Sequence, residues 1–269
     1  MRARDYAYFD GGTPLAMAHR GGAAYLPNRG LENSVAAFTR AVEMGYRYLE
    51  TDVHATLDGV VVAFHDEDLD RVTDAHGSIA DLPWSHVRQA RIGGKEPIPT
   101  LLELLETFPH TRFNIDLKSE AVLEPTLEII HRTRSIDRVC IGSFSERRVR
   151  AARRIMGPRL ASAAGQVGTG VLRLAPRHLS KVLHTPAPVL QLPNEYAVAG
   201  RRITLLTPEL LGVAHRLGKQ VHAWFDEGDR EDAAEMHRLL DLGVDGIVTD
   251  HIDVLRDVLE QRGHPMSVG

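Results

Sequence analysis

Two carboxylates spaced two residues apart, with a histidine shortly after them, are the first residues in this chain that could do chemistry. They lie in the run 48–66, YLETDVHATLDGVVVAFHD. Side chains alternate along an extended segment, so Glu50 and Asp52 share one face. A turn at Asp58–Gly59 and an apolar run over 60–64 then deliver His65 at a strand tip. Buried unpaired carboxylates are costly. An acid pair on one strand face therefore belongs either to solvent, on an edge strand, or to a site that holds positive charge. These three residues alone leave both readings open.

Other candidates fall at similar places. His19 and Arg20 follow the apolar run 14–18, and Asp116 and Lys118 sit two apart at the end of the run 112–117. Glu50, Asp52 and Asp116 would form an all-oxygen set, which suits Mg²⁺ or Ca²⁺ better than zinc. His19 and His65 can exchange protons near neutral pH. Arg20 and Lys118 supply fixed positive charge. A divalent cation with an arginine and a lysine is equipment for a phosphoryl oxygen whose charge grows in the transition state. Trp224, near another strand end, either joins the core or walls a substrate. His54 could share the face of Asp52, but a surface hydrogen bond is the preferred reading. Asp66 is expected to brace its loop. Glu32 and Asn33 are expected to brace the site or cap a helix.

Positioning these groups requires a regular frame. Strand starts are predicted at 14, 48, 112, 138, 159, 187, 220 and 245. Helices are predicted between them, at 34–44, 101–108, 120–134, 145–156, 168–182 (broken at Pro176), 207–217, 229–242 and 252–262. Alternating strand and helix argues for a parallel sheet. Eight such units in roughly 250 residues argue for a TIM (β/α)₈ barrel. The run 60–64 follows its neighbour by a short turn and is read as a hairpin extension. Residues 66–99 break the rhythm and are read as a small insertion after the second strand, within a single domain spanning 1–269. An open doubly wound sheet is the alternative, but no G-x-G-x-x-G follows a strand and opens a helix. In a barrel, all the candidates would gather at the C-terminal strand ends.

Composition narrows the partners. The 269 residues are 43% hydrophobic and 25% charged with a net charge of −4. No basic face is visible beyond Arg147–Arg154, which reads as one solvated helix face, so nucleic acid is not expected as a main partner. No window approaches a membrane span, so stable membrane insertion is not expected. The single cysteine, Cys140, rules out a disulfide within the chain and is read as a buried structural thiol. With no apolar stretch of signal-peptide length at the N-terminus, a cytoplasmic setting is expected. Oligomeric state stays open.

The motifs also carry a family resemblance. His19-Arg20-Gly21, Leu31-Glu32-Asn33-Ser34, Glu50-Thr51-Asp52, Leu57-Asp58-Gly59, His65-Asp66, Ile98-Pro99-Thr100-Leu101 and the ending GVDGIVTD over 243–250 together resemble the glycerophosphodiester phosphodiesterase family. The resemblance spans roughly residues 15–255. It implies a TIM barrel with a small insertion, a divalent cation on Glu50, Asp52 and Asp116, His19 and His65 as general base and acid, and Arg20 and Lys118 on phosphate. It also implies a small-molecule glycerophosphodiester substrate, attacked at phosphorus by its own glycerol hydroxyl. The resulting cyclic phosphate opens to glycerol 3-phosphate. Two positions depart from the family pattern. Asp116 stands where glutamate is usual, as in the sphingomyelinase D-like phospholipases, and Asp226 follows Trp224-Phe225 where Thr-Val-Asn is common. A lysophospholipase on the same barrel and a non-catalytic phosphate-binding barrel are the rival readings. A pure binder would not need two histidines.

Overall fold

The computed structural model describes residues 1–164, 185–198, 201–226 and 228–266. The helix predicted over 168–182 lies outside the described residues. Eight parallel strands make the frame: β1 Leu15–His19, β2 Tyr48–Ala55, β3 Arg112–Leu117, β4 Val139–Gly142, β5 Ala161–Ser162, β6 Val189–Pro193, β7 Gln220–Trp224 and β8 Gly246–Thr249. Consecutive strands pair from β1 to β5 and from β6 to β8, and β8 pairs with β1. Just beyond β5, Ala163 bridges in parallel to Val189 of β6 and closes the barrel. All eight predicted strand starts correspond to staves.

Period-two alternation sorts each strand between two cores. Leu49 and Val53 of β2 point outward into the large apolar cluster under the surrounding helices. Leu15, Met17, Tyr48, Cys140, Ala161, Val189 and Val248 point inward and fill the lower barrel. Cys140 is fully buried there, and burial pushes its thiol up. The N-terminal arm joins this inner core. Ala3, Tyr6, Tyr8 and Phe9 pack into it from below, and the Tyr48 hydroxyl donates to the Tyr8 carbonyl at 2.8 Å. His222 of β7 is also interior, fully buried, with its ring 6.0 Å from that of Phe9.

Helices begin at the upper, C-terminal end of the strands, and side-chain caps mark their starts. Ser34 accepts from the Ala37 amide at 3.1 Å, Thr100 from Glu103 at 3.1 Å, Thr207 from Leu210 at 3.3 Å and Asp232 from Glu235 at 3.0 Å. Each satisfies an amide that the helix itself leaves unpaired.

The run Val61–Ala63 pairs antiparallel with β2, as the hairpin reading required. Between it and the helix Leu101–Thr107, residues 66–99 form a compact piece with an apolar cluster of its own. Leu69, Ile79, Val87, Ala90, Ile92 and Ile98 pack there against Val62 and Phe64 of the hairpin. The Ala63 amide donates to the Pro99 carbonyl at 2.9 Å and pins the two ends of the piece together. After β6, an antiparallel pair, Glu195–Val198 with Arg201–Thr204, was not foreseen in the sequence. No helix among the described residues is long and apolar enough to cross a membrane.

Candidate active site

Register delivers the candidates to one place. His19 is opposite Glu50, Glu50 opposite Asn114, Asp52 opposite Asp116 and Asp116 opposite Gly142. All lie on the inward series of their strands, one level above the apolar floor. The strand β2 is buried at all eight positions, with Glu50 and Asp52 at 5% and 2% exposure. The solvated-edge reading of the acid pair is therefore overturned. His19, Arg20, Glu50, Asp52, His65, Asp116, Lys118 and Trp224 all line a single cleft of about 1340 Å³ at the barrel mouth. That exceeds the roughly 300–1,000 Å³ of common ligand pockets.

The turn after β1 is shaped by close approach. Arg20 adopts φ +50, and Gly21 and Gly22 adopt φ +86 and +88. A Cβ on Gly21 would lie 2.8 Å from Ala37 Cβ, and one on Gly22 would lie 2.7 Å from Ile252. Glycine alone fits both the left-handed backbone and the space. The turn brings Arg20 Nε to 3.2 Å from Asp52 Oδ2, an ion-pair distance without hydrogen-bond alignment.

Two buried carboxylates, Glu50 and Asp52, and the half-buried Asp116 lie beside two cations. Lys118 Nζ lies 2.7 Å from Asp52 Oδ1 and 3.1 Å from Asp116 Oδ2. Burial works to raise Asp52, but Lys118 and Arg20 outweigh it and hold the carboxyl low. Glu50 Oε2 lies 3.7 Å from His19 Nε2 and accepts from the Arg20 amide at 3.3 Å, with no lysine or arginine side chain at ion-pair distance among the described residues. Burial and the neighbouring Asp52 charge push it up. Burial also raises Asp116, against the pull of Lys118. Lys118 itself loses to burial but gains more from Asp52 and Asp116, so it stays charged.

Each histidine meets a carboxylate through the same ring atom. His65 Nδ1 is 2.6 Å from Asp66 Oδ1, and His19 Nδ1 is 3.1 Å from Asp250 Oδ1. A carboxylate beside Nδ1 favours a proton there and leaves Nε2 as the working nitrogen. Burial would lower His19, but Asp250 and Glu50 bring it up to about 9. His65 is held below its ordinary value by burial. The two rings are thus shifted in opposite directions. His54 is buried rather than superficial, and its Nε2 donates to the His65 carbonyl at 3.1 Å. Asp66 braces as expected.

Sequence reading missed several groups in the cleft. Asp250 follows β8 and sets a carboxylate 3.1 Å from His19 Nδ1; in the sequence it stood only as the end of the GVDGIVTD run, with no role assigned. Glu231 accepts from the Thr249 hydroxyl at 2.5 Å and from the Asp250 amide at 2.8 Å, holding that strand end. Gln191 Nε2 donates to Asn114 Oδ1 at 2.9 Å, and both line the cleft. The wall beyond them is apolar, with Leu192, Pro193, Leu205 and Phe225. Trp224 lies on this side, and the exposed Phe144 meets it edge-on at 6.3 Å between ring centres.

Glu50, Asp52 and Asp116 match a hard cation in donor chemistry, three carboxylates gathered at one strand-end level. In geometry Lys118 bridges Asp52 and Asp116. Among the described residues, no three acidic, histidine or cysteine side chains converge as a ready-made ligand set.

Comparison with known proteins agrees with this architecture. The model of the glycerophosphoryl diester phosphodiesterase family matches residues 19–254. A probable glycerophosphodiester phosphodiesterase 2 of Mycobacterium tuberculosis is 42% identical over 273 residues, covering 94% of this chain and 97% of that one. A glycerophosphodiester phosphodiesterase of Caldanaerobacter subterraneus is 31% identical, covering 93% and 99%. Among solved structures, a phosphodiesterase from Oleispira antarctica in complex with the product sn-glycerol-3-phosphate superposes with a TM-score of 0.72 at 22% identity, covering 92% and 97%, which is a likeness of fold. A barrel of this topology, a match across nearly its whole length and relatives at this identity make the chain a member of the glycerophosphoryl diester phosphodiesterase family.

Proposed function

We propose that this chain hydrolyses glycerophosphodiesters to glycerol 3-phosphate and an alcohol, with His19 and His65 as its acid–base pair. The observation that carries the reading is the paired histidines. Each has Nδ1 against a carboxylate and turns Nε2 to the acid cluster or the cleft, His19 Nε2 lying 3.7 Å from Glu50, and they flank an arginine and a lysine at the barrel mouth. One imidazole takes the proton of the attacking glycerol hydroxyl at Nε2. The other gives a proton from Nε2 to the departing alcohol oxygen. The roles then reverse as water opens the cyclic phosphate, since the same groups serve both directions. Arg20 and Lys118 neutralise the phosphoryl oxygens. Glu50, Asp52 and Asp116 would hold a divalent cation, Mg²⁺ or Ca²⁺. When bound, it supplies Lewis-acid neutralisation of charge developing on phosphorus-bound oxygen. Trp224 serves as a substrate wall. The setting we assign is the cytoplasm, in keeping with a single cysteine that is buried.

The test is release of glycerol 3-phosphate from glycerophosphocholine and glycerophosphoethanolamine with added Mg²⁺ or Ca²⁺. No release from either, with either metal, refutes the reading. The apolar wall of Leu192, Pro193, Leu205 and Phe225 favours one second reading, a lysophospholipase on the same chemistry. Turnover of lysophospholipids without turnover of the deacylated diesters would select it.

A further inference from the structure

Arg71 has no part in the chemistry above, yet its guanidinium is bonded on every nitrogen. Nε lies 2.5 Å and Nη2 3.0 Å from the two oxygens of Asp66. Nη1 lies 3.0 Å and Nη2 2.7 Å from the two oxygens of Glu32. Both contacts are two-pronged, so they fix the plane of each carboxylate as well as its position. Asp66 in turn accepts from His65 Nδ1 at 2.6 Å. Glu32 comes from the loop after β1, where it also lies 3.6 Å from Arg20 Nη1. Arg71 therefore ties the insertion to the opposite loop, with the His65–Asp66 pair hanging from the tie.

Two simpler roles do not account for this arrangement. A phosphate-binding arginine needs free donors, and this one spends them on two carboxylates. A plain surface ion pair is worth about 0–1 kcal/mol, and the Arg71 side chain is 48% exposed. Such a pair would explain neither the double two-pronged geometry nor the placement beside His65.

We propose that Arg71 is a positioning residue: by holding Asp66 in one plane, it keeps His65 as the Nδ1–H tautomer with Nε2 open to the cleft. Glu32 is the far anchor that keeps the guanidinium in place. The ionisation of Asp66 fits this role, since the Arg71 hydrogen bonds hold its carboxyl down to about 2 and keep it an acceptor. The kinetic consequence rests on the function proposed above; the tautomer does not.

The experiment therefore has two arms. The first is ¹⁵N-histidine NMR on the full chain above the titration of His65, with its signals assigned by their loss in His65→Gln. In the wild type, Nδ1 is expected as the protonated nitrogen and Nε2 as the bare one. In Arg71→Met the two signals move toward each other as tautomers mix, and in Arg71→Lys they move less. The second arm is kinetic. Arg71→Met and Asp66→Asn are each expected to lower kcat about 10–100-fold, the range for loss of a supporting partner. KM should stay within about twofold, and the double variant should be no worse than the worse single one, because the two act in series. Low concentrations of guanidinium ion should partly restore Arg71→Met but not Asp66→Asn. An unchanged tautomer in a folded Arg71→Met, or additive losses that track a falling Tm, overturns the inference. An inactive wild type with a shifting tautomer would instead remove the proposed function and leave the positioning role standing.

Discussion

His222 offers a quantitative test of the barrel floor beneath the site. Its ring is fully buried between β6 and β8. Nε2 faces Gln220 Oε1 at 2.9 Å, and Nδ1 has no hydrogen-bond partner among the described residues. Burial alone pulls its pKa from 6.5 down to about 3. The folded protein thus keeps this ring neutral where the unfolded chain protonates it. The sign follows: the unfolded state binds the extra proton below 6.5, so stability falls as pH drops from there toward 3. At about pH 4.5, two pH units below the unfolded value, the loss is roughly 2.7 kcal/mol at 1.36 kcal/mol per unit. The perturbation is His222→Gln, which cannot titrate. It is expected to cost stability at about pH 7.5 through imperfect packing against Phe9. Urea unfolding of both proteins at about pH 7.5 and pH 4.5 measures the gap between them. Other groups titrate in both proteins and cancel, so the gap should narrow by roughly 2–3 kcal/mol in acid. A gap that stays constant would mean that His222 is not held neutral, and that the floor is wetter than its packing implies.

The catalytic assignments make their own demands. His19→Ala and His65→Ala should each lower turnover by ~10²–10⁴ with the far-ultraviolet circular dichroism unchanged; near-full activity in either would remove its role. Glu50→Ala should abolish Mg²⁺ or Ca²⁺ binding in calorimetric titration and lose metal-dependent activity with it. Trp224→Ala should raise KM roughly tenfold, about 1.4 kcal/mol, with kcat little changed. An equal loss in kcat would make Trp224 part of the transition-state machinery instead.

Much of this was legible because barrel staves write themselves plainly. Apolar runs ended by polar residues marked the strands, and the two-residue spacing of Glu50 and Asp52 placed both on one face, which the burial of β2 shows to be the inner one. What could not be read was partnership across the chain. Nothing local in Thr249-Asp250 says that this acid reaches the His19 ring; that follows from β8 lying beside β1. Arg71 drew no reading within the 66–99 insertion, because its partner Glu32 belongs to a different loop. Lys118 was read as a phosphate ligand, and its bridge between Asp52 and Asp116 depends on the register of β2 with β3. His54 looked superficial because the hairpin that covers it folds back from later sequence.

The hairpin has a last consequence. Val62 and Phe64, just ahead of His65, pack into the insertion's cluster and not the barrel's two. His65 thus rides on the seam between the insertion's apolar cluster and the barrel's. An engineer who swaps the 66–99 cassette for another would therefore reset the footing of the ring to which the proposed function assigns proton transfer.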